Sequence, residues 1–242
     1  MWEENRYWTV TPVLTGKFGM VRDDIRYRGG DPSVVDYVPS VLFLLEKGER
    51  QIVVDTGFGE PQECADKLSL FVVREKSYEK ILLEAGIDRE KVEAVIFTHL
   101  HWDHAGNAGS FSNAVFYCHE KEWDRAVGYP DEYPEIWMED LKRNKERIRL
   151  IREESEKEIF PGIRVRYAGG HTYGSQMVLV DTAQGLAVIT GDVVMTEKNV
   201  RENLPVGLCV NQKECEEVLK VLAGLKPARI YPSHDFSIFE KG

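Results

Sequence analysis

No apolar run in the chain approaches the roughly 20 residues needed to cross a membrane. The first residues, Met1-Trp2-Glu3-Glu4-Asn5-Arg6, lack the basic patch and apolar stretch of an export signal. The four cysteines (Cys64, Cys118, Cys209, Cys215) never fall at C-x-x-C spacing, which argues against a zinc knuckle and reads as reduced thiols. Positive charge is scarce: 31 Lys and Arg against 41 Asp and Glu leave a net charge of -10, the wrong sign for a nucleic-acid backbone. There is no G-x-S-x-G elbow to present a nucleophilic serine. These absences lead us to expect a cytoplasmic protein with no membrane and no nucleic acid among its partners.

What remains is ordinary globular composition, 43% hydrophobic and 30% charged over 242 residues, enough to build a core without staples. Histidine is also scarce, with six in the chain, yet three of them fall in one short window, His99-Leu100-His101-Trp102-Asp103-His104, with an aspartate among them. The apolar run 92–97 leads into this window and reads as a buried strand. The small residues Ala105, Gly106 and Asn107 after it suit a loop turning into a helix.

Taken in order, residues 7–13 read as a first strand and residues 14–39, rich in glycine and charge, as a long functional loop. Two apolar runs, 41–46 and 51–55, form a hairpin signal ending at Asp55-Thr56-Gly57. Residues 77–86 read as a helix capped by Ser77 and stopped by Gly86. A short strand is expected at 114–118 and a helix at 120–127. Residues 128–161 are highly charged; 139–157 read as one or two solvated helices, and the whole stretch as a helical insertion, a lid or a homodimer contact, on a single domain spanning 1–242. Strands are expected at 163–168, 177–182 and 186–190, a helix at 214–225, and a last strand at 229–232. Two strand-rich halves, each followed by helices, fit two sheets covered by helices, a layered α/β protein.

Each half delivers metal-type side chains just past apolar runs: His99, His101, Asp103 and His104 from the first, then His171, Asp192 and His234 from the second. His99 and His101 are two apart, so on an extended segment they point the same way. A helical turn after Trp102 brings Asp103 and His104 to the adjacent side, so one window serves two neighbouring metals, with Asp192 the natural bridging carboxylate. Asp55 reads as a carboxylate holding a ligand histidine by its free ring N–H. His119, a lone histidine of the kind that is more often a surface or core residue, is left out of the ligand set.

These residues resemble the metallo-β-lactamase superfamily, whose five motifs have counterparts here in order at Asp55, His99-x-His101-x-Asp103-His104, His171, Asp192 and His234. The resemblance implies a four-layer αββα sandwich with a dinuclear site at one edge of the sheets. Within the superfamily the chain looks most like the N-acyl homoserine lactonases, through Leu14-Thr15-Gly16, Asp55-Thr56-Gly57-Phe58, the stretch 98–107, Gly170-His171-Thr172 and Gly191-Asp192. Carried over, His99, His101 and His171 hold one divalent metal, Asp103, His104 and His234 the other, and Asp192 bridges. The metals are expected to be Zn²⁺, with Fe, Mn²⁺ or Co²⁺ compatible with the same donors. Those lactonases carry a tyrosine three residues beyond the bridging aspartate; Met195 stands there, and Tyr173 is the candidate to replace it.

The expected activity is metal-dependent hydrolysis of a small lactone or ester, with a bridging hydroxide attacking the carbonyl and Asp103 passing a proton to the leaving group. A thioester hydrolase of the glyoxalase II type and a non-catalytic metal-binding protein on the same fold are the alternatives. Met20, Phe58 and Trp102 are the candidate pocket walls.

Overall fold

Thr9 to Lys47 builds the start of the first sheet from two long strands, β1 (Thr9–Arg22) and β2 (Val35–Lys47), joined through the short helix α1 (Asp23–Arg26). The computed structural model describes residues 6–133 and 135–240, without the side chains of Glu135 and Ile136. The first five residues, on which the missing export signal is read, and Pro134 in the expected insertion lie outside the described residues. The long loop expected at 14–39 is therefore corrected. Most of it is strand, β1 pairing antiparallel with β2 from Thr9↔Glu46 to Arg22↔Val35. Register shifts at Leu14/Gly16 and Phe18/Val21 break the alternation that marks a strand in sequence.

β3 (Arg50–Val54) closes the expected hairpin on β2, and α2 (Pro61–Leu68) and β4 (Phe71–Val73) follow. α3 (Tyr78–Glu84) is capped as read, the Ser77 hydroxyl accepting from the Lys80 N–H at 3.3 Å, and Gly86 turns away at φ +73°. Then come β5 (Val92–Ile96), the one-turn helix α4 (Trp102–Ala105), β6 (Val115–His119), α5 (Glu120–Gly128), α6 (Glu135–Arg143) and β7 (Ile148–Ile151). The second sheet takes β8 (Glu156–Phe160), β9 (Ile163–Tyr167), β10 (Gln176–Thr182), β11 (Gly185–Gly191) and β12 (Arg229–Pro232). Between β11 and β12 lie α7 (Glu197–Arg201) and α8 (Gln212–Leu225).

The strand order is β4-β1-β2-β3-β5-β6-β7 in one sheet and β12-β11-β10-β9-β8 in the other. The helical reading of 128–161 is thereby half corrected. α6 is there, but 148–151 and 156–160 are edge strands, one on each sheet. Charged residues are tolerated on an edge because one side of the strand faces water.

The two sheets face each other through Val41, Phe43, Ile52 and Ile96 on one and Val165, Val178, Val180 and Ile189 on the other. On its outer face the first sheet packs Leu42, Leu44, Val53 and Val95 against Tyr78 and Leu82 of α3 and Met138 and Leu141 of α6. The second packs Met177, Leu179 and Val188 against Val218, Leu219 and Leu222 of α8. The result is the four-layer αββα sandwich. Strands such as 41–45, buried on both faces, read as continuous apolar runs for that reason. Among the described residues no helix is long and apolar enough to cross a membrane.

Candidate active site

β3, β5 and β6 run parallel, as do β11 and β12, so five strands end at one edge of the sandwich. Open α/β sheets place their sites beyond such carboxyl ends. Asp55 follows β3, His99 to His104 follow β5, Asp192 follows β11 and His234 follows β12. His171 sits in the turn between β9 and β10, after Gly169 and Gly170 at φ +61° and +79°. Gly191 (φ +54°) lets the chain turn hard against the motif, since a Cβ there would lie 2.6 Å from that of Thr98.

The seven ligand candidates converge. Nε2 of His99 and Nε2 of His171 lie 3.1 and 3.0 Å from Nδ1 of His101. Nε2 of His104 and Nε2 of His234 each lie 3.0 Å from one Asp192 oxygen, and 3.6 and 3.5 Å from Asp103 Oδ2. The other Asp192 oxygen is 3.4 Å from His171 and 3.9 Å from His99, so its carboxylate lies between the two groups. All are buried except His101, which is half-buried.

Behind the candidate ligands, second groups fix the rings. Asp55 accepts from the N–H and the hydroxyl of Thr98 and from His104 Nδ1, each at 2.8 Å, the role expected for it. His171 Nδ1 donates to the Leu208 carbonyl at 2.8 Å, and His234 Nδ1 to that of Pro39 at 2.9 Å. Each such bond puts the ring proton on Nδ1 and leaves the Nε2 lone pair facing the centre. Ser233 donates to Asp192 at 2.7 Å.

The electrostatics divide the cluster. Burial, followed by the neighbouring imidazoles, holds His101 down to about 3 and His99 well below its usual value. Burial works the same way on His104 and His234, but the carboxylates beside them, Asp192 foremost, outweigh it and raise both. Burial pushes Asp103 up, whereas Asp192, though burial pushes it the same way, is held well below the usual range by His234, His104 and His171.

These residues fit a metal pair. His104 Nε2 is buried and makes no hydrogen bond. Two of the three nitrogen–nitrogen approaches among His99, His101 and His171 are 3.0–3.1 Å, near the roughly 3.3 Å edge of a tetrahedron with zinc–nitrogen bonds of about 2.0–2.1 Å. Three donor sets lie within ligand reach: His99, His101 and His171; Asp103, His104 and His234; and His99, His104 and Asp192 across the middle.

A cavity of about 170 Å³ opens onto His101, Asp103, His171, Asp192 and His234. Phe18, Met20, Val38, Leu70, Met195 and Leu208 give it an apolar lining, and Trp102 closes one side. Met20 and Trp102 are thus placed as expected, while Phe58 is fully buried beneath Trp102 and lines core. Tyr173 is also elsewhere. Its half-exposed ring lies under Arg125, 4.5 Å from the guanidinium, and lines a separate surface cavity with Lys121, Tyr129 and Tyr167. Among the described residues no tyrosine lines the cavity beside the seven candidates, which corrects the expectation that Tyr173 donates to a carbonyl there. The sequence reading missed Arg26, the one Lys or Arg in that lining among the described residues, because an arginine in a charged stretch carries no pattern.

Comparison with known proteins agrees with this geometry. The chain is 29% identical to an N-acyl homoserine lactonase of Bacillus cereus over 181 residues, 69% of each chain. It is 30% identical to a probable metallo-hydrolase of Methanocaldococcus jannaschii over 162 residues, 67% of this chain and 66% of that one. Its fold matches an N-acyl homoserine lactone hydrolase solved with N-hexanoyl-L-homoserine at the catalytic metal centre, with TM-score 0.81 and 22% identity, covering 98% of this chain and 96% of that one. The pattern of the metallo-beta-lactamase superfamily matches residues 35–234. The chain belongs to the metallo-beta-lactamase superfamily, among its metal-dependent hydrolases.

Proposed function

We propose that the chain hydrolyses a small lactone or ester with two divalent metal ions, Zn²⁺ first among them. His99, His101 and His171 would hold one ion, Asp103, His104 and His234 the other, and Asp192 would lie between. The observation that supports this most is the convergence of seven buried or half-buried donors beside an apolar cavity. A metal pair supplies Lewis-acid polarisation of a carbonyl and a water acidic enough to react at neutral pH.

The chain's own residues do the rest. The apolar lining seats the non-reacting part of the substrate and excludes water. At about 170 Å³ the cavity is smaller than the roughly 300–1,000 Å³ of drug-sized sites, which favours a compact ring or a short acyl chain. Ring opening breaks the acyl C–O bond, adds the water oxygen to the carbonyl carbon and needs a proton at the leaving oxygen. Asp103, on the cavity wall, is assigned that proton transfer.

The relatives named as lactonases support a lactone, and Met195 in the lining limits how far the likeness extends. The test is a hydrolysis panel with zinc-loaded protein. Lactone or ester turnover that chelation abolishes is expected. Turnover confined to thioesters or phosphodiesters would contradict the substrate class.

A further inference from the structure

Between the loops that carry His101 and His171 lies a carboxylate that no motif marks. Glu122, in the first turn of α5, is fully buried. Its Oε1 accepts from the Leu100 N–H and the Tyr133 hydroxyl, both at 2.9 Å. Its Oε2 accepts from the Thr172 hydroxyl at 2.7 Å and the Gly174 N–H at 3.1 Å. Leu100 separates His99 from His101, Thr172 follows His171, and the Tyr133 ring lies 5.5 Å from that of His101, tilted by 30°. The His171 loop is pressed directly onto α5 here, since a Cβ on Gly174 would lie 2.2 Å from the Glu122 nitrogen. All four bonds tie elements beside His99, His101 and His171. Asp103, His104 and His234 are tied mainly through Asp55, which touches His99 only by way of the Thr98 hydroxyl, through Ser233 at Asp192, and through the Pro39 carbonyl.

We propose that Glu122 is a positioning residue for one metal only: it clamps the His99–His101 loop to the His171 loop and so sets the affinity of that triad separately from the other. The inference rests on the two-metal reading. A carboxylate suits the place because it accepts on both oxygens, and two of its donors are backbone N–H groups that cannot turn away. In Glu122→Gln the amide NH₂ must face one of those N–H groups, which leaves a buried donor unpaired and pushes one loop off. Groups that orient metal ligands in this way change affinity by about 10–100-fold when altered.

The test titrates full-length metal-free protein with Zn²⁺ against a chromophoric chelator, and repeats it with Co²⁺ to read the d–d spectrum of each site. Glu122→Gln is expected to weaken one of two sites about 10–100-fold and alter that site's cobalt spectrum. On a His234→Ala background it should weaken the remaining site as much; on His171→Ala it should change nothing further. Thr172→Val, which removes one of the four donors at constant size, should act in the same direction and less. Equal weakening of both sites, or a lower melting temperature of the metal-free protein with both affinities intact, overturns the proposal. If Glu122→Gln does not fold, a folded Thr172→Val with unchanged affinities overturns it. A wild-type chain that takes up no zinc at His99, His101 and His171 overturns both this inference and the two-metal reading, whereas two zinc sites indifferent to Glu122 overturn this inference alone.

Discussion

The two ligand triads share an edge of the sandwich and differ in charge. His99, His101 and His171 bring three imidazoles and no carboxylate, and burial holds His99 and His101 neutral. Asp103, His104 and His234 carry a carboxylate of their own and face Asp192, whose charge raises both imidazoles. A metal on the first set would meet three imidazoles, with His101 beside Tyr133; one on the second would meet a carboxylate as well, and the cavity borders both sets. On the proposed mechanism, proton handling falls to the second set, where Asp103 stands.

Altering the charged set should cost most. Asp103→Asn is expected to lower kcat on a confirmed lactone by about 10²–10⁴-fold with the fold intact by circular dichroism. Wild-type turnover would remove Asp103 from the mechanism and with it the division between the triads. Asp55→Asn keeps an acceptor for the Thr98 N–H but cannot accept from His104 Nδ1 or the Thr98 hydroxyl. It should weaken the Asp103–His104–His234 site about 10–100-fold in zinc titration and the other site less, since Asp55 reaches His99 only through the Thr98 hydroxyl.

Smaller effects sharpen the boundary of the site. His119 lies outside both triads, buried and 4.7 Å from the Tyr167 ring, and burial followed by Lys121 lowers its pKa below 6.5. The unfolded chain then binds the proton more readily than the folded one. Stability from this group is present above about pH 6.5 and lost as pH falls through that value. His119→Asn can still cap α5 and should lose less melting temperature than wild type between about pH 7.5 and about pH 5.5. Both proteins are compared fully zinc-loaded, so that the ligand histidines do not titrate. An equal loss would assign the pH dependence elsewhere. The smallest effect is expected from Tyr173→Phe, which should leave kcat and KM unchanged; a large fall in kcat would bring that ring into the cavity.

The candidate ligands were legible because H-x-H-x-D-H is dense and because each remaining candidate follows an apolar strand. The β-hairpin, α3, α8 and the last strand were legible from period and caps. Register shifts at Leu14/Gly16 and Phe18/Val21 hid the second half of β1, and the charged surface of edge strands made β7 and β8 read as helix. Tyr173 was misjudged because distance along a chain does not say which way a tight turn faces. The turn at Gly169 and Gly170 sends His171 inward and leaves Tyr173 half-exposed two residues later. Glu122 and Arg26 stand alone among charged neighbours, and only the fold reveals which loops they meet.

The most direct test is to titrate the metal-free chain with Zn²⁺ while following the opening of a short-chain lactone in the same cuvette. The account predicts no turnover without metal, and full turnover only as binding approaches about two ions per chain. Full activity in the metal-free chain, or two bound ions with no hydrolysis of any lactone or ester, would contradict it.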